Sequence, residues 1–203
     1  MEDNNLNKTI RRRGFIGTLA VGVAAIGTAS LAPLKINAQP LSAMPAEQGS
    51  LETPDEWFNK IKGRHRIVFD VTHPVEIMPF VWPRVFLITN EKTGTPSKDC
   101  NVVVVLRHSA IPYAFENQLW AKYKFGEVFK ADDPATKMAA VRNPFWQPKK
   151  GDFKVPGFGE VQIGINELQA DGVMFCVCDA AMTVFSAAVA DVMKMDAAEV
   201  KKE

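Results

Sequence analysis

The chain has 203 residues, with 24 Lys and Arg against 23 Asp and Glu, for a formal charge of +1. That balance leaves no basic surplus to neutralise a nucleic acid backbone, and no long block of like charge marks an interaction tail. The three cysteines, Cys100, Cys176 and Cys178, are too few and odd in number for a disulfide-stapled secreted scaffold.

The N-terminus places Arg11-Arg12-Arg13 directly before Gly14-Phe15-Ile16. Thr18 to Leu34 follows, rich in Ala, Gly and Val and free of charge until Lys35. Charged, apolar and small-residue segments in that order make a secretory signal. The paired arginines assign it to the twin-arginine route. Ile36-Asn37-Ala38 offers a small-residue cleavage site, so residues 1–38 are expected to leave and the mature chain to begin near Gln39. The apolar run is about 17 residues, the short limit for spanning a bilayer. Cleavage is therefore expected over anchoring, with no stable membrane span afterwards. The translocase is a transient partner and the periplasm the destination. Removing residues 1–38 takes five basic and two acidic residues and leaves a formal charge of −2. What remains is long enough for one domain with its own core. At least one thiol is expected to be free in an oxidising compartment.

Residues 39–62 read as a flexible leader, rich in Pro, Ser, Ala and Gln, with a short helix from Thr53-Pro54 through Trp57 to Lys62. The domain, residues 63–203, opens on the β-branched run Ile67 to Thr72, bounded by Gly63 and Pro74, which predicts a strand. Helical spacing from Phe80 to Asn90 predicts a helix with Pro83 in its first turn, where a missing N–H costs little. Thr93-Gly94-Thr95-Pro96 ends it. Asn101 to Leu106 is nearly all valine, as in a strand buried on both faces. Phe115 to Phe129 predicts one helix with Leu119, Tyr123 and Val128 inward. Asp133-Pro134 predicts another as far as Val141. Asn143 to Gly157 is a loop pinned by Phe145 and Trp146. Glu160 to Ala170 predicts a helix stopped by Gly172. Val173 to Val177 predicts a third buried strand and Ala180 to Met193 a final apolar helix.

Short apolar strands alternating with helices indicate right-handed crossovers and an open parallel sheet of flavodoxin or Rossmann type, a three-layer α/β sandwich. Asp196-Ala197-Ala198-Glu199 looks like a capping pair opening a further helix, four residues before the end. Three strands are few for this class, so the sequence reads as C-terminally truncated, or as one whose sheet a partner subunit completes.

Ligands of open parallel sheets bind outside the carboxyl ends of the strands. His73 follows the first strand, Arg107-His108 the second, and Cys178 the third, just before a helix. A thiol at a helix N-terminus is favoured as thiolate. The carboxylate of Asp179 opposes this, and a nearby protonated His73 or His108 would offset it. Cys100 falls at the opposite pole, and Cys176, mid-strand, is expected to be buried and inert. Trp82, Trp120 and Trp146 are expected to be packing residues. Neither a Gly-rich phosphate loop nor a Gly-x-Ser-x-Gly elbow is present, which argues against nucleotide hydrolases and α/β-hydrolases.

The chain resembles the DsrE-like family, which includes DsrE and TusD, over roughly Arg66 to Met193. The likeness rests on the strand order, on the Val102–Leu106 strand ending in His108, and above all on Val177-Cys178-Asp179-Ala180-Ala181-Met182. The leader and the Arg142-Asn143-Pro144-Phe145 loop are similar to those of exported members of that group. The resemblance implies that Cys178 matches a cysteine carrying sulfur as a persulfide. It also implies a homo-oligomer, trimer or hexamer. Cys178 is thus the expected catalytic residue, with His73, His108 and Arg107 as ligand-binding residues and no cofactor or resident metal. Two other readings stay open: a non-catalytic module binding a small ligand, or copper or zinc, through Cys178 and the two histidines; and a structural subunit of a periplasmic complex.

Overall fold

The computed structural model describes residues 52–203; the expected signal, the cleavage point and the start of the leader lie outside the described residues. Helix α1, Pro54–Phe58, opens on a reciprocal cap. Thr53 Oγ1 accepts from the Glu56 N–H, and the Glu56 carboxylate accepts from the Thr53 N–H. It is shorter than the expected run to Lys62.

Strand β1 is His65–Val71. Helix α2, Met78–Lys92, starts two residues earlier than expected, which puts Pro79 in the first turn and Pro83 in the interior. Pro83 is buried there and forfeits one helical hydrogen bond. Strand β2 is Cys100–Leu106. The expected single helix over Phe115 to Phe129 is two, α3 Asn117–Tyr123 and α4 Phe125–Val128, because Lys124 takes a left-handed conformation at φ 49°. The break turns Val128 outward, to 44 % exposure; Tyr123 and Trp120 are buried as expected, and Phe125 and Phe129 join them.

The helix expected from Asp133 to Val141 does not form. Its carboxylate Oδ1 accepts from the Ala135 and Thr136 N–H groups, a local turn that competes with helix, and Asp132 bridges to Ala139. The expected helix start at Glu160 is likewise replaced, by a small antiparallel hairpin of β3, Lys154–Val155, and β4, Gly159–Glu160. Helix α5, Ile165–Ala170, begins only after Gly164, whose N–H donates to Glu167, and the turn at Gly172 (φ 84°) follows it.

Strand β5 is Met174–Val177, and α6 is Asp179–Met193. The capping pair then behaves as the sequence predicts. Asp196 accepts from the Ala198 and Glu199 N–H groups and opens α7, Ala197–Lys202. The Glu203 carboxylate ties that end to α3 by accepting from Lys122 and from the Tyr123 hydroxyl.

The architecture is mixed α/β with a three-stranded parallel sheet in the order β1-β2-β5. Val71 lies beside Leu106, and Leu106 beside Val177, so all three strands finish level. The core sits between the sheet and its crossovers. Phe80, Trp120 and Phe145 are fully enclosed there, with Val104 and Leu106 from β2. The Trp120 indole N–H donates to the Pro112 carbonyl at 2.9 Å, satisfying the polar end of a buried ring. Trp82 and Trp146, by contrast, are well exposed, Trp82 at 53 %. Cover over β1 is one-sided: His65, Ile67, Phe69 and Val71 turn inward, while Arg66, Val68 and Asp70 face out.

Candidate functional site

The level strand ends bring three turns together. The Arg107 N–H donates to the Val71 carbonyl and the Cys178 N–H to the Leu106 carbonyl, each at 3.0 Å, continuing the ladder one residue past β2 and β5. His73 leaves β1 at the same end. His108 has φ 51°, a left-handed turn that aims the chain from β2 into the 3₁₀ segment His108–Ala114. A non-glycine residue held there costs about 1–3 kcal/mol, which the surrounding contacts must hold in place.

The two imidazoles meet, with ring centroids 4.9 Å apart and planes at 42°. Phe185 of α6 stands edge-on to His108 at 5.6 Å. His73 Nδ1 lies 2.8 Å from Thr72 Oγ1, and the Ser109 hydroxyl donates to the Thr72 carbonyl at 3.1 Å, so the two histidine-bearing turns are fastened to each other.

Arg107 lies flat against Asp70 in a bidentate pair, Nε to Oδ1 at 2.5 Å and the second nitrogen to Oδ2 at 2.7 Å. Both side chains are about half exposed, so the pair orients the guanidinium more than it stabilises the fold. The Arg107 hydrogen bond holds the Asp70 carboxyl below the usual range. In turn the Asp70 hydrogen bond raises Arg107.

Cys178 is the N-cap of the 15-residue helix α6 and is partly exposed. Its carbonyl accepts from Met182, closing the first turn. The N–H groups and dipole of that helix end form a positive electrostatic pole beside it. The opposing carboxylate of Asp179 is paired with Lys201 Nζ at 2.8 Å. Lys201 also donates to Thr183 Oγ1 at 2.7 Å. Sequence reasoning missed Lys201: it lies 22 residues beyond Asp179 in the sequence, and only the fold of α7 onto α6 unites them.

The other two thiols differ. Cys100 is buried at the start of β2, the opposite pole, and burial raises its thiol pKa. Cys176 is not fully buried as expected, because β5 is an edge strand and leaves it partly open. Its thiol pKa is nonetheless raised, first by desolvation and then by Cys178, which makes it a poor thiolate.

A cavity of about 640 Å³ runs along β5 and is lined by Tyr113, Phe115, Asn117, Gln169 and Cys176, among others. None of His73, Arg107, His108 and Cys178 lines it. A shallower depression of about 230 Å³ holds His73 beside Asp70, Thr72 and Trp82. The two histidines therefore gather, but among the described residues neither of these two cavities collects His73, Arg107, His108 and Cys178 together. Among the described residues, no three His, Cys, Asp or Glu side chains cluster as metal ligands. No described helix is long and apolar enough to cross a membrane.

The fold and site thus define an α/β domain with a thiol, a guanidinium and paired imidazoles at the carboxyl end of a parallel sheet. Comparison with known proteins finds no family model that matches the chain, and no match among curated proteins or solved structures.

Proposed function

We propose that this is an exported DsrE-like protein, with the open-sheet three-layer α/β sandwich of that family, that accepts and relays sulfur through Cys178. The observation that carries the reading is the position of Cys178: a partly exposed thiol capping α6, at the sheet end that also bears Arg107 and the two histidines. In the simplest reaction the Cys178 thiolate attacks the outer sulfur of thiosulfate. A sulfur–sulfur bond forms on the protein, the bond between the two sulfurs of the donor breaks, and sulfite leaves with the electron pair. Charge balances, since a thiolate and a dianion become a persulfide anion and a dianion. Arg107 screens the incoming dianion, and His73 and His108 supply hydrogen-bond donors on the same rim. The twin-arginine leader takes the folded domain to the periplasm, and the family likeness implies a trimer or hexamer.

The test is intact-mass measurement after thiosulfate treatment of protein purified from expression of the full chain. Wild type and Cys176→Ser should gain the mass of one sulfur atom, and Cys178→Ser should gain none. An equal gain in Cys178→Ser ends the proposal.

The cavity along β5 favours a second reading, a small-ligand-binding module. Its volume is within the range of small-molecule sites, and it mixes aromatic with amide side chains. If that reading holds, Gln169→Leu changes ligand-induced thermal shifts in a metabolite screen while Cys178→Ser leaves them unchanged.

A further inference from the structure

We infer that two copies of this chain join through their β1 strands, edge to edge and antiparallel, about a two-fold axis at Val68. The inference starts from backbone direction. The Val71 carbonyl accepts from Arg107, so Val71 turns its backbone groups towards β2. In a parallel ladder alternate residues share that direction. His65, Ile67 and Phe69 therefore also bond to β2, and Arg66, Val68 and Asp70 aim their N–H and C=O groups at the outer edge. Among the described residues, β1 has β2 as its sole strand neighbour. A seven-residue edge strand in which three residues present groups without a partner among the described residues is a template for another strand.

Edge strands usually repel such pairing with charges of one sign. Here the charges do the opposite. Arg66 and Asp70 flank Val68 symmetrically. An antiparallel pairing centred on Val68 sets Arg66 of one copy opposite Asp70 of the other, twice, on the same exposed face. Asp70 already accepts from Arg107, but a carboxylate has acceptor sites to spare for a second guanidinium. Val68, 62 % exposed on the monomer, would meet its own copy. Beside the same edge, Trp82, Met78 and Val75 add further exposed apolar surface around the depression next to β1. The joined sheet would read β5-β2-β1-β1-β2-β5, six strands, an ordinary size where three are few. A hexamer can contain this two-fold contact; a closed trimer has none.

The experiment is sedimentation velocity on protein purified from expression of the full chain. Wild type should sediment as a dimer or a multiple of dimers. Arg66→Glu alone and Asp70→Lys alone each set two like-charged pairs across the axis and should fall to half that size. An equimolar mixture of the two variants restores opposite charges at both pairs and should return to the wild-type size. As a second readout, Val68→Cys brings a thiol to its own copy at a Cα separation of about 5.5 Å, within disulfide range. Mild oxidation should give a covalent dimer that wild type does not form. A monomeric or trimeric wild type, unchanged size in both charge variants, failure of the mixture to reassociate, or no cross-link at position 68 overturns the inference. None of these outcomes bears on sulfur loading at Cys178, so the two proposals fail separately.

Discussion

The imidazole of His73 and that of His108 stand 4.9 Å apart although 35 residues separate them in sequence. Parallel pairing of β1 and β2 in matched register brings them together, and the Ser109-to-Thr72 hydrogen bond holds the two turns in place. Removing one ring without moving the backbone tests what the pair does. Asparagine tolerates the left-handed conformation that His108 adopts. His108→Asn is predicted to keep the wild-type melting temperature while slowing sulfur loading about 10-fold or more, the rate equivalent of losing a hydrogen bond to a charged group. Stopped-flow loading with thiosulfate measures it.

Lys201 offers a sharper electrostatic test. Lys201→Ala leaves the Asp179 carboxylate unpaired beside Cys178. A nearby negative charge disfavours the thiolate, so the pH profile of Cys178 alkylation should move to higher pH. Asp179→Asn in the same background should move it back. A profile that ignores both substitutions would show that the sulfur does not sense this pair.

The Asp70–Arg107 pair makes a prediction at acid pH. The folded-state pKa of Asp70 is lowered by Arg107, so whatever the pair contributes is present above the ordinary carboxylate range and is lost as pH falls through the lowered value. Asp70→Asn should therefore leave stability unchanged at the acid extreme and reduce it slightly near neutrality, as read by urea unfolding across pH. The effect stays small because both groups are half exposed.

Asn143 carries the loop from Arg142 to Phe145. It is fully buried, donates to the Tyr113 carbonyl at 2.9 Å and accepts from the Phe145 N–H at 3.1 Å. Asn143→Ala should cost about 1–3 kcal/mol by stranding those partners. Phe145→Ala, which opens a void against Phe80 and Phe153, should cost about 3–5 kcal/mol. Chemical denaturation of both variants checks the order.

The parallel sheet was legible in the sequence because its signal is strong and local. The valines of 102–105 and the β-branched run before Thr72 mark β2 and β1 without reference to anything distant, and strand ends then place His73, Arg107, His108 and Cys178. What was not legible depended on single residues overriding a pattern. Lys124 breaks a helix that the spacing carries straight through. Asp133 uses its carboxylate to satisfy the backbone locally and so stops a helix it was expected to cap. Glu160 pairs in a hairpin because Gly157 and Gly159, both at positive φ, turn the chain there. The half-exposed state of Cys176 follows from strand order, and the Lys201–Asp179 pair from the docking of α7; neither is written in local sequence.

The most direct measurement is the site of sulfur on the wild-type chain itself. Brief thiosulfate exposure, thiol blocking, digestion and fragmentation between Cys176 and Cys178 assign the added atom to one side chain. The account predicts it on Cys178, with Cys176 and Cys100 carrying only the blocking group. Sulfur found chiefly on Cys176, or spread evenly over the three thiols, would contradict it.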